Sequence, residues 1–113
     1  MSRERVQMTI EWFVPLGQAR SMTMALHSIA ADTRTIPGCV GCSVAADLTE
    51  RSTVRYSEEW RTEEDLRRRM QSDTFSQLIM LIEDATQAPR IEFALLHETR
   101  GLDFIAEVRA AAK

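Results

Sequence analysis

At 113 residues the chain is the size of one compact domain and too short for two independent cores, so a single domain over residues 1–113 is expected. Its 44% hydrophobic and 27% charged residues exclude a disordered chain, and no apolar run approaches the ~20 residues that span a bilayer. A net charge of −3 argues against a nucleic-acid binder, and the start MSRERVQM lacks a signal-peptide core, so the expected location is the cytoplasm, away from any membrane.

Met8 to Val14 (MTIEWFV) alternates, with Met8, Ile10 and Trp12 on one face and Thr9, Glu11 and Phe13 on the other, which predicts a strand stopped by Pro15-Leu16-Gly17. From Gln18 the period lengthens: Ala19, Met22, Leu26, Ile29, Ala30 and Thr33 recur at helical spacing until Ile36-Pro37-Gly38 breaks the helix. Cys39 to Asp47 is a second strand of small residues, Leu48 to Ser52 a polar turn, and Thr53 to Trp60 a third strand paired as its hairpin partner.

Thr62 is placed to cap a second helix, with Asp65 in the capping-box position and Leu66 and Met70 as apolar contacts. Arg67-Arg68-Arg69 is the basic run of this helix, and Glu63-Glu64-Asp65 offsets it through expected pairs of Glu63 with Arg67 and Glu64 with Arg68. Ser72-Asp73 caps a continuation carrying Phe75, Leu78, Ile79, Leu81, Ile82 and Ala85, and Gln87-Ala88-Pro89 ends it. Ile91 to Thr99 is a fourth strand with apolar residues on both faces, hence expected to be covered on both. After Gly101 a helical tail over 102–113 follows the 8–100 core.

The order β-α-β-β-α-β is that of an α+β ferredoxin-like fold, a four-stranded antiparallel sheet with two helices on one face. Apolar residues at both parities of the first and last strands point to a homodimer, sheet against sheet.

Several side chains carry candidate chemistry. Trp12, Tyr56 and Trp60 offer planar walls for an aromatic ligand, or alternatively core, and Met22 and Met24 line a pocket or fill the core. His27, at the edge of the first helix's apolar stripe, and His97, near the end of the last strand, are the two candidate bases near neutral pH. Cys39-x-x-Cys42 invites a redox or zinc reading, but residues three apart on an extended strand point to opposite faces, so both are read as small buried residues.

Val14-Pro15-Leu16-Gly17, then a helix, Pro37-Gly38-Cys39, a strand ending in Asp47-Leu48, Glu58-Glu59-Trp60, and Ser72-x-x-Phe75 resemble, in order and spacing, the antibiotic biosynthesis monooxygenase family. The resemblance implies a dimeric α+β barrel with a pocket in each protomer between helices and sheet. It also implies oxygenation of a small aromatic, quinol-like molecule by O₂ without a cofactor or metal; a non-catalytic binding module is the alternative. The helix-two position where quinol-oxidising relatives place a histidine falls on Arg69, which could hold a phenolate or oxyanion, or simply reach to water. The asparagine and the iron-ligating histidine of haem-degrading relatives fall on Ile10 and Ile79, which can do neither job.

Overall fold

The computed structural model describes residues 4–47 and 52–112. Its elements are β1 (Arg5–Val14), α1 (Leu16–Thr33), β2 (Cys39–Asp47), β3 (Ser52–Trp60), α2 (Glu63–Met70), a 3₁₀ turn (Asp73–Phe75), α3 (Ser76–Glu83), β4 (Arg90–Leu96) and α4 (Leu102–Ala111). The strands form one antiparallel sheet in the order β2-β3-β1-β4, an α+β ferredoxin-like arrangement. Among the described residues no helix is long and apolar enough to cross a membrane.

The alternation read in β1 sets the layers. Val6, Met8, Ile10 and Trp12 point to the helices and are buried, together with Val54, Tyr56 and Trp60 of β3. The α1 stripe lies over them through Ala19, Leu26, Ile29, Ala30 and Thr33, all buried, and Met22 is half-buried against the same core. Trp12 Nε1 donates to the Leu81 carbonyl at 3.2 Å, tying the sheet to α3.

Local chemistry explains the corners. Gly38 has φ +92°, and a Cβ there would lie 2.6 Å from the Asp65 carboxyl, so the reversal after α1 requires glycine on two counts. The Thr62 hydroxyl accepts from the Asp65 N–H at 3.1 Å, which is the expected start of α2.

Several expectations need correction. β1 and α1 begin earlier than the sequence pattern suggests, at Arg5 and Leu16, and β4 ends at Leu96, before His97. The second helix is interrupted: α2 stops at Met70, and Ser72 donates its hydroxyl back to the Arg69 carbonyl at 2.6 Å instead of capping the next turn. Glu63 pairs with Arg67 at 2.7 Å as expected, but Arg68 takes Asp65 at 3.2 Å, not Glu64. The predicted turn at Leu48 to Ser52 falls largely outside the described residues.

The two cysteines do not face opposite ways. A bulge between Cys39 and Gly41 adds one residue to β2, so Cys39 lies opposite Trp60 and Cys42 opposite Glu58, both on the helix side of the sheet. Both are free thiols; Cys42 is buried and Cys39 half-buried.

The open face of the sheet is polar. Thr9 meets Ser57 at 3.1 Å, Glu11 pairs with Arg55 at 2.8 Å and Glu92 with Arg90 at 2.8 Å. β4 is not covered on both faces as expected: Ile91, Phe93 and Leu95 share the helix side of the sheet yet lie exposed, because the helices reach only as far as β1.

Candidate functional site

On β3 the residues facing the helices are Val54, Tyr56, Glu58 and Trp60, and Glu58 is a carboxylate inside an otherwise apolar row. Arg69 comes down from the last turn of α2 to meet it. Their side chains are 0% and 1% exposed, with Arg69 Nη2 3.2 Å from Glu58 Oε2 and Nε 3.3 Å from the same oxygen. Glu58 also accepts the Tyr56 hydroxyl at 2.5 Å on Oε2 and the Trp60 indole N–H at 2.9 Å on Oε1. Every lone-pair direction of the carboxylate that faces a donor is used, which is what a buried charge requires.

The rest of the guanidinium is committed to helix ends. Nη2 donates to Thr33 Oγ1 of α1 at 3.1 Å and Nη1 to Thr74 Oγ1 of the 3₁₀ turn at 2.9 Å. Its carbon lies 5.3 Å from the centre of the Phe75 ring, within cation–π range. Thr33 spends its own hydrogen on the Ile29 carbonyl at 2.7 Å. Of the five guanidinium hydrogens, Nε–H and both of Nη2 have acceptors, Nη1 uses one on Thr74, and its second has no acceptor among the described residues.

Burial alone would disfavour the charge on Arg69, but the Glu58 carboxylate and its hydrogen bonds outweigh this and hold the guanidinium above its ordinary pKa. Tyr56 is pushed well above the usual phenol range by burial first and by Glu58 second, so it is a fixed donor. Burial raises the Cys42 thiol to about 11 and Cys39 in the same direction. Neither thiol is an activated nucleophile at neutral pH.

Arg69, Thr33 and Thr74 also border a cavity of about 360 Å³ between the C-terminal end of α1 and the start of α3. Ile29 and Ile36 supply its apolar wall, and Asp32, Thr35 and Gln77 its polar rim. The inner wall is buried and the rim exposed, the layout of a ligand pocket.

Of the residues singled out from the sequence, Arg69 alone borders this cavity. Trp12, Tyr56 and Trp60 are 0% exposed and belong to the core, Tyr56 and Trp60 bonding to Glu58, the partner of Arg69. Met22 packs on the core, His27 is exposed on α1 away from the lining residues, and His97 is exposed with Nδ1 3.2 Å from a Glu4 carboxylate oxygen. Ile10 is buried in β1 and Ile79 lies on the outer part of α3. Glu58 was missed as a functional residue, although its parity with Val54, Tyr56 and Trp60 marks a carboxylate on a core face. Among the described residues no cluster of histidine, cysteine or carboxylate groups could hold a metal ion.

The sequence matches the family model for antibiotic biosynthesis monooxygenases over residues 6–79, from within β1 to the middle of α3. The chain belongs to the antibiotic biosynthesis monooxygenase family. No curated protein matches it. Among solved structures it resembles a candidate antibiotic biosynthesis monooxygenase from Deinococcus radiodurans, with a TM-score of 0.74 and 18% identity over 86% of this chain and 97% of the other. A conserved protein from Methanosarcina mazei Go1 superposes with a TM-score of 0.70 and 18% identity, covering 81% of this chain and 92% of that one. PA3566 from Pseudomonas aeruginosa gives 0.67 and 20% identity over 88% and 98%. At these identities the likeness concerns the fold, and monooxygenase-like chemistry follows from the family alone.

Proposed function

We propose that this family member oxygenates a small, neutral, quinol-like aromatic with O₂ in the cavity between α1 and α3. The observation that carries the reading is the state of Arg69: it borders the cavity, one of its N–H groups has no acceptor among the described residues, and its charge is cancelled by Glu58. A neutralised donor suits a carbonyl or hydroxyl oxygen better than a carboxylate, and Asp32 at the rim further disfavours an anion. The substrate supplies the electrons: a hydroquinone and O₂ give a hydroxyquinone and water.

In this scheme the spare Nη1 hydrogen of Arg69 and the Thr74 hydroxyl orient the ligand oxygens, while Ile29 and Ile36 hold the ring and exclude water. Asp32 carries the carboxylate of the lining and accepts the ligand's hydroxyl proton; His27, away from the lining, does not take that role. The protein works as a homodimer in the cytoplasm. A second reading, binding without turnover, is favoured by the complete pairing of Glu58 and by the distance of both histidines from the lining.

Oxygen uptake across a panel of hydroquinones, with chelator present, tests the proposal. Saturable uptake that falls about 100-fold in Asp32→Asn with an unchanged melting temperature is expected. Saturable binding by calorimetry with no uptake across the panel would leave the binding module as the correct description.

A further inference from the structure

The case against a bond between Cys39 and Cys42 is that residues three apart on a regular strand face opposite ways, and the bulge in β2 removes it. Val40 is the extra residue: Cys39 lies opposite Trp60, Gly41 opposite Glu59 and Cys42 opposite Glu58. Trp60 and Glu58 are two strand positions apart, about 6.8 Å at ~3.4 Å per residue. Their partners Cys39 and Cys42 thus stand at the outer end of the Cα range that a disulfide spans, about 4.4–6.8 Å, and on the same side of the sheet.

The Cys39 thiol leans along that side. Its Sγ donates to the Gly41 carbonyl oxygen at 3.5 Å, and that carbonyl belongs to the peptide joining Gly41 to Cys42. The Cys39 N–H is fixed on the Ile36 carbonyl at 3.1 Å, and Arg34 Nε donates to the Cys42 carbonyl at 2.9 Å, so both ends of the bulge are anchored to the segment after α1. Access differs between the two: Cys39 is half-buried and Cys42 is 8% exposed.

We propose that Cys39 and Cys42 are a reversible dithiol–disulfide pair that closes across the bulge by exchange with a small-molecule disulfide. The Cys39 thiolate attacks one sulfur of the small disulfide, forming a mixed disulfide and releasing one small thiol. Cys42 then attacks the Cys39 sulfur and releases the second. The two cysteine protons end on the two released thiols, and two electrons pass to the small disulfide. Cys39 goes first because it is the more accessible. Burial holds both thiols in their protonated form, so closure is slow, on the scale of ~minutes to hours. The pair makes no use of the ligand cavity, so its test stands apart from oxygenation.

The test treats the folded full chain with oxidised glutathione at neutral pH, quenches it with acid, alkylates free thiols with N-ethylmaleimide and measures intact mass with peptide mapping. A single chain lighter by two hydrogens, unalkylated, with Cys39 linked to Cys42 and an unchanged far-ultraviolet circular dichroism spectrum is expected. Excess dithiothreitol should restore both thiols. Cys42→Ser should stop at glutathione on Cys39, and Cys39→Ser should stay unmodified while folded. Wild-type chains with both thiols free, with glutathione retained on Cys39 beside a free Cys42, or with disulfides between chains overturn the proposal. So does closure that occurs only in urea.

Discussion

Two regions of this molecule break the rule of apolar inside and charged outside, in opposite directions. Beneath the cavity, Arg69 and Glu58 are charged groups removed from water, yet they pair with each other, and Tyr56, Trp60, Thr33 and Thr74 supply all but one of their remaining partners within one chain. At β4 and α4, large apolar side chains stand in water, and no described part of the chain buries them. The first exception is closed internally save for one N–H; the second is left open and points outward. A buried polar cluster thus identifies where a fold positions a donor, and an uncovered apolar surface identifies where it meets another molecule.

The largest effect is expected on breaking the closed region. Glu58→Gln leaves the Arg69 charge buried against an amide, and chemical denaturation should show a loss of about 3–5 kcal/mol. Alkali attacks the same layer more gently. The Cys42 thiol has a pKa of about 11 when folded against an ordinary 9.0, and Tyr56 is raised as well. Both groups hold their protons more firmly folded than unfolded, so their stabilisation is complete below pH 9 and is lost as pH rises towards 11, by about 2–3 kcal/mol for Cys42. The urea midpoint should fall over that window, and less steeply in Cys42→Ala.

Gly38→Ala sits between the two regions in size. The positive φ and the close Asp65 carboxyl predict a cost of about 1–2 kcal/mol, read as a lower melting temperature, unless Asp65 is shortened at the same time. The smallest effect on the single chain belongs to Phe93→Ser, whose side chain is largely in water: less than about 0.5 kcal/mol at dilutions where the chain is monomeric. A large loss there would mean that the β4 surface is completed within one chain after all.

Much of this architecture was legible in the sequence because it rests on periodicity. Met8, Ile10 and Trp12 at period two, and Ala19, Leu26, Ile29 and Ala30 at helical spacing, place β1 and α1 face to face. Glu58 was legible too, through its parity with Tyr56 and Trp60, but a carboxylate in a charged stretch is easily read as surface. The bulge in β2 was not, since one extra residue in a run of small side chains leaves no signature, and it reversed the facing of Cys39 relative to Cys42. Nor was the cavity: Asp32, Thr33, Thr74 and Gln77 meet only because the end of α1 packs beside the 3₁₀ turn, a contact between distant segments that no local pattern encodes. The sequence marked β4 as a strand in need of cover but not by what, because apolar residues on an edge strand look the same whether a helix of the same chain or a second copy covers them.

The central claim is that Arg69 is first the partner of Glu58 and only through its remaining N–H a ligand donor. A double-mutant cycle with Glu58→Gln, Arg69→Met and the pair, followed by urea unfolding, measures this directly. The account predicts that the double variant is more stable than either single one, with a coupling of about 3 kcal/mol between the two sites. Additive losses would show that Arg69 is held by other contacts and would contradict the account.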